Sequence, residues 1–266
     1  MRILPLAAVC FVTSALWLHA DDSWRTKLKP ETTGPFPMVR PFQGDFRFGW
    51  SNIEAAKANA KIAPAGPNVA VEVEGGTTGL ARTLWSLDAK SRTVFSQDGF
   101  QPVASRQFEK YTSKQVSMET VKKENDLWYI RWVTPSPPEN FAKWKRLKVA
   151  PARDIVGAMF FIRSQLLKDG DKVGLIAFPG DSPYLVEVEV EKRETITVGG
   201  KARQAIRLGF KLQKIETKGG THLVEHKKFR NGTVWLSDDQ DRIPLRAEVN
   251  LFIGFVYGEL KSVTFD

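Results

Sequence analysis

The chain has 266 residues, 39 lysines and arginines against 30 acidic residues, a net charge of +9, and one cysteine. A single cysteine excludes an internal disulfide and a thiolate metal site, and a chain of this length builds one large β domain, or two small ones, without such staples. The positive charge favours anionic partners such as lipid head groups, nucleic acid or acidic polymers, unless it serves solubility alone.

Residues 1–20 read as a cleavable export signal. Arg2 supplies the basic start, and Ile3 to Leu18 is uncharged and apolar through Leu4, Leu6, Val9, Phe11, Val12, Leu16 and Trp17. Ala20 then precedes Asp21 and Asp22, where charge returns. The run is shorter than the roughly 20 apolar residues that span a bilayer. Leu18 is bulky for its place before the junction, which makes Ala15 the alternative cleavage point and a retained anchor the alternative reading. Cys10 lies inside this segment, so the exported part carries no thiol, and Val9 before it does not fit a lipidation site. Outside the cytoplasm, nucleic acid is not the expected partner.

Residues 21–43 form a Pro-rich arm (Pro30, Pro35, Pro37, Pro41), and 44–266 read as one domain. Phe46, Phe48 and Trp50 alternate on one strand face, followed by Ala56, Ala58, Ala60 and Ile62 on a second. Small side chains beside a row of aromatics either interdigitate or leave a groove. Val69, Val71 and Val73 give a third strand that Gly75-Gly76 closes. Leu80, Leu84, Trp85 and Leu87 predict a helix over 78–88. Strand patterns follow at Thr93–Gln97, Val103–Tyr111, Gln115–Lys123 and Leu127–Val133, and Pro135 to Ala152 reads as a long loop. Asp154 is placed to cap a helix to about Leu167, its stripe Ile155, Met159, Ile162 and Leu166 widened by Phe160 and Phe161, with Gly170 beyond. Six further strands are expected at Lys172–Phe178, Tyr184–Val198, Lys201–Ile215, Thr221–Leu236, Ile243–Phe252 and Phe255–Phe265, with double-glycine turns at Gly199-Gly200 and Gly219-Gly220. The fold class is α+β and mostly antiparallel β: a strongly curled, half-open barrel-like sheet around one or two helices.

Little in the sequence points to catalysis. Asp238, Asp239 and Asp241 lack the glycine and distal glutamate of a calcium loop and suit a structural turn. His222 and His226 on one extended strand stand about 13 Å apart, too far to share a zinc ion. There is no G-x-S-x-G and no phosphate loop. No metal and no cofactor is expected. The aromatics are more informative. Trp128, Ile130 and Trp132 share one strand face, and Phe141 and Trp144 are interleaved with Lys143, Lys145, Arg146 and Lys148. An apolar pocket with a basic rim suits an acyl chain with an anionic head, although tryptophans of this kind also serve as core.

The stretch Thr233-Val-Trp-Leu-Ser-Asp-Asp-Gln-Asp-Arg-Ile-Pro-Leu-Arg-Ala-Glu-Val, with Ile253-Gly254 and Gly258-Glu259-Leu260, resembles an envelope-protein domain family of unknown function in Gram-negative bacteria that carries a W-x-S-D-D-x-x-R-I-P hairpin. Arg153-Asp154-Ile155 opening a helix, the Lys168–Asp171 turn, and the aromatic strand followed by a small-residue strand extend the likeness over residues 43–266. It implies a periplasmic or outer-envelope domain related to lipoprotein carriers of the LolA and LolB type, curled sheets enclosing an apolar cavity lidded by helices. It supplies no catalytic residues. The resulting expectation is a non-enzymatic envelope protein, periplasmic or secreted, carrying an amphipathic ligand in the concavity of its sheet. Phe46, Phe48, Trp50, Trp128, Trp132, Met159 and Phe160 are expected to line the cavity, with Lys143, Lys145 and Arg146 at its mouth. The expected partners are an anionic lipid or acyl chain. The alternatives are a structural module that holds an envelope protein and an envelope hydrolase.

Overall fold

A computed structural model describes residues 23–30, 32–51, 53–124, 126–135, 142–218, 220–225, 231–251 and 254–266. The expected export segment with Cys10, and Phe141, Gly219 and His226, lie outside the described residues.

Alternating apolar and polar side chains, punctuated by tight turns, lay most of the chain out as an antiparallel meander. β1 (Phe42–Trp50), β2 (Ile53–Ala65), β3 (Asn68–Thr77), β4 (Leu87–Ser96), β5 (Pro102–Tyr111), β6 (Gln115–Lys123) and β7 (Asp126–Thr134) pair in sequence order, with the short β8 (Lys145–Arg146) at the edge. The second half comprises β9 (Lys172–Ala177), β10 (Tyr184–Val198), β11 (Lys201–Glu216), β12 (His222–Glu225), β13 (Asn231–Ser237), β14 (Pro244–Asn250) and β15 (Phe255–Phe265). It folds back so that β15 pairs with β1, Phe265 opposite Phe42, making one continuous sheet with β8 and β9 as its two edges. Gly199 and Gly200, both at positive φ, form the two-residue β10–β11 hairpin that right-handed strand twist requires.

Helix α2 (Ile155–Ser164) carries the chain from edge strand β8 to edge strand β9. The sheet therefore curls around this helix and leaves a seam between its edges, a half-open barrel. Phe160, Phe161 and Ile162 of α2 join one core with Phe42, Ile62 and Val71 from the first half and Val188, Leu208 and Leu236 from the second. Phe95, Phe100 and Phe160 stack with centroids 4.9–6.1 Å apart. Each such burial contributes about 1.5–3 kcal/mol, and each ring pair about 0.5–1.5 kcal/mol more.

Side chains close the seam where backbone pairing does not. Leu127 and Leu147 from one edge pack with Ile176, Phe178, Leu185 and Ile215 from the other and with Trp24, which a 3-10 turn at Ser23–Lys27 presents. The free backbone of β9 is covered as well: Lys29 N donates to Gly174 O at 2.8 Å, and Arg153 N to Ile176 O at 2.9 Å. A covered edge cannot recruit a second chain.

Several elements depart from expectation for local reasons. Gly75-Gly76 does not close β3; the strand runs on to Thr77, because β2 approaches so closely that a Cβ on Gly75 would lie 2.5 Å from Lys57 O. The first helix, α1, is only Gly79–Leu84 rather than 78–88, since Leu87 N donates to the Thr77 hydroxyl at 3.0 Å and starts β4. Helix α2 stops at Ser164 rather than near Leu167, where Arg242 takes its last carbonyls. The single strand expected over Thr221–Leu236 is two strands, β12 and β13, both laid on β11. The basic loop from 135 to 152 contains β8.

Candidate functional site: an apolar concavity beside the central helix

Helix α2 is fixed at both ends. The Asp154 carboxylate accepts the Gly157 N–H at 2.9 Å as an N-cap, and burial pushes its pKa above the ordinary carboxylate range. The Arg153 guanidinium donates twice to Gly99 O, at 3.0 and 2.8 Å, over the Phe161 ring. At the C-terminus Arg242 donates to the carbonyls of Arg163, Gln165 and Leu166, a cation on the negative end of the helix. The acidic hairpin exists to aim that side chain. Asp239 accepts from Asp241 N, Arg242 N and the Ser237 hydroxyl, and Ser237 Oγ accepts from Ile243 N.

Held in this way, α2 turns Ile155, Met159 and Arg163 toward a space the sheet does not fill; residues four apart share one helix face. Two apolar cavities flank this stripe. The first, about 320 Å³, has walls of Phe42, Phe46 and Phe48 from β1 and Ala58, Ala60 and Ile62 from β2. The second, about 620 Å³, lies against Val186, Val188, Leu208, Phe210 and Leu212 of β10 and β11. Ile155, Met159 and Val234 border both. The first cavity has a plain origin in the sequence. Phe46 pairs with Ala58, and Phe48 with Ala56, so a bulky row faces a row of methyl groups. Gly258 completes the wall: a Cβ there would meet Phe48 Cε1 at 2.7 Å, so only glycine lets the ring lie flat across β15.

The two ends of the first cavity differ. At one end stand Arg40, Arg163, Asp241 and Arg242. Arg163 is 3 % exposed; its Nε (3.1 Å) and Nη2 (2.7 Å) donate to Asp241 O, Nη2 also donates to Met38 O, and Nη1 has no hydrogen-bond partner. Burial lowers its pKa to about 10, so it is still charged at neutral pH. Arg40 lies on the Phe265 ring, 3.6 Å from the Asp241 carboxylate. At the other end, register places Phe48, Ala56 and Thr77 in one row, and α1 starts just beyond. Its Leu80 and Leu84 are 84 % and 87 % exposed, and Trp85, which follows it, is exposed as well. This end is an apolar rim.

The expected lining thus divides. Phe46, Phe48, Met159 and Phe160 come together in the wall of the first cavity, whereas Trp50, beyond a register shift between Phe48 and Gly49, is exposed and borders neither cavity. Trp128 and Trp132 stand on the convex face instead. Their partners across β6 are Val121 and Ser117, whereas Met118 and Thr120 face inward, so tryptophan parity puts the rings outside. Trp132 meets Phe108 there in a shallow groove among Arg106, Glu119 and other charged residues. Lys143 is exposed, and Lys145 and Arg146 form the sheet edge, where Arg146 pairs with Asp126 at 2.9 Å; none of the three borders either apolar cavity. The basic groups that border the first cavity are Arg40, Arg163, Arg242 and Arg246. The signal for Arg163 was present as a lone charge four residues after Met159 in an apolar helix.

These features define a class: a barrel-like antiparallel β protein whose sheet edges are not hydrogen-bonded to each other but packed together by side chains, with an apolar concavity beside a central helix. Residues 42–261 match the family described as protein of unknown function (DUF3108), and the chain belongs to that family. Its fold is shared with a β-barrel-like protein of domain of unknown function DUF1849 from Brucella abortus, at 10 % identity and a TM-score of 0.59, covering 86 % of this chain and 98 % of that one. Weaker likeness extends to a protein described as exported, with a YmcC-like fold, from Bacteroides fragilis (TM-score 0.36, 10 % identity, 88 % and 99 % covered) and to one described as a lipoprotein from Parabacteroides distasonis (0.34, 9 %, 88 % and 99 %). No curated protein sequence matches significantly.

Proposed function

We propose that this is a non-enzymatic, exported envelope protein that binds an amphipathic, lipid-like ligand in the concavity of its sheet. The observation that carries the reading is the pair of apolar cavities on either side of Ile155 and Met159. Apolar concavities of this size that open to solvent are where proteins bury the apolar part of a ligand. Their volumes lie within the about 300–1,000 Å³ common for small-molecule sites. Export rests on the pattern from Arg2 to Ala20. His222 is exposed on β12 and borders neither cavity. The likeness to lipoprotein carriers adds architectural analogy only.

Native mass spectrometry tests the reading. Delipidated protein incubated with a long-chain amphiphile is expected to retain it, and Ala60→Leu, which adds bulk to the first cavity, is expected to lower occupancy while folding normally. A folded wild-type protein that takes up no amphiphile contradicts the reading.

A further inference from the structure

Among the described residues, buried side-chain nitrogen and oxygen atoms without a hydrogen-bond partner occur on Trp24, Arg47, Asp154, Arg163, Arg203 and Arg207. Of these residues only Arg163 borders an apolar cavity. A buried guanidinium N–H without an acceptor is costly, and native proteins leave such groups where a ligand, water or ion completes them. Two of the three guanidinium nitrogens of Arg163 are spent on the carbonyls of Asp241 and Met38, which fixes the plane of the group. No carboxylate oxygen is hydrogen-bonded to it; what it receives are neutral carbonyls. Arg40 and Arg242 border the same end of the cavity with Asp241, while Asp238 and Asp239 lie close enough behind to act on Arg242 and Arg163, so this end is charged and polar where the rest of the wall is apolar. The opposite end, at Phe48 and Ile155, is apolar. The stripe from Ile155 to Arg163 spans two helical turns, about 12 Å of rise, which matches an extended chain of roughly ten carbons.

Resting on the amphiphile-binding reading, we infer that the first cavity selects single-chain amphiphiles with an anionic head, carboxylate or phosphate. The head pairs with Arg40 and with Arg163 Nη1, which a shift of the buried side chain uncovers on binding, and the chain runs along Met159 between Phe46 and Ala60 toward Phe48. A planar guanidinium with a free N–H is suited to such a head because charge-assisted hydrogen bonds to an oxyanion are roughly twice as strong as neutral ones.

Calorimetry on the delipidated full chain, with dodecanoic acid, dodecyl phosphate, dodecanol and inorganic phosphate as probes, separates the possibilities. The inference predicts that both anionic amphiphiles bind about tenfold or more tightly than dodecanol. It also predicts that Arg163→Met brings the acid-to-alcohol ratio close to one and that Arg40→Ala lowers it by a smaller factor. Should Arg163→Met fail to fold, the wild-type ratio and the Arg40→Ala variant decide. Equal binding of acid and alcohol by the wild type, or a ratio untouched in Arg40→Ala, overturns the inference and leaves the amphiphile site standing. Inorganic phosphate binding as tightly as dodecyl phosphate overturns it by making the site one for free anions. Failure of every chain-bearing probe to bind removes the underlying reading as well.

Discussion

At the scale of single residues, the fold depends on a few polar side chains buried at the ends of one helix. Arg242 satisfies carbonyls of Arg163, Gln165 and Leu166 that would otherwise face the core. Arg242→Met is expected to cost about 2–3 kcal/mol in urea denaturation, through lost charge-assisted hydrogen bonds and the helix dipole. Asp154 acts in the opposite sense with pH. Burial raises its folded pKa, so the native state holds a proton that the unfolded state has released, and stability declines as pH climbs from the ordinary aspartate value through the raised one. Asp154→Asn keeps the cap and removes the titration. Its stability relative to wild type is therefore expected to rise across that window and then level off, as measured by denaturation from pH 4 to 8. The acidic hairpin was legible as a turn from its aspartates and proline. That it delivers Arg242 to a helix 76–79 residues earlier was not, because nothing local encodes that meeting.

At the scale of elements, strand parity and turn glycines were readable where neighbours agree. Tyr184–Val198 and Phe255–Phe265 stand as their alternation predicts, and Gly199-Gly200 turns the hairpin between β10 and β11. Gly75-Gly76 misled because a glycine pair also serves close approach between strands, and sequence alone does not distinguish the two uses. The Phe46–Trp50 and Ala56–Ile62 rows carried the most functional information, since bulky against small is what leaves the first cavity open. The tryptophans of β7 have equally clear alternation, but the sign of the face was set by β6, whose Met118 packs inward against Gly180. The N-terminal arm proved to be a structural part of the seam. Trp24→Ala is expected to cost about 3–5 kcal/mol by thermal or chemical denaturation. Trp24→Phe should cost far less, because the indole N–H is buried without a partner.

At the scale of the whole molecule, the topology explains why a concavity exists. Two meanders of strands meet at β1 and β15, and the connection between their far edges is a ten-residue helix threaded through the middle. So short a helix covers only part of so wide a sheet. The core is dense where Phe95, Phe100, Phe160 and Phe161 converge and open where Ile155 and Met159 look outward. None of the described helices is long and apolar enough to cross a membrane. The proposal places a ligand inside the curl, against Met159 and the β1–β2 wall. Photo-crosslinking with a diazirine-bearing fatty acid, followed by peptide mapping, tests it most directly. Labels are expected on peptides containing Met159 and on those spanning Phe46–Ile62. Labelling confined to the convex face around Phe108, Trp132 and Trp144 would contradict it.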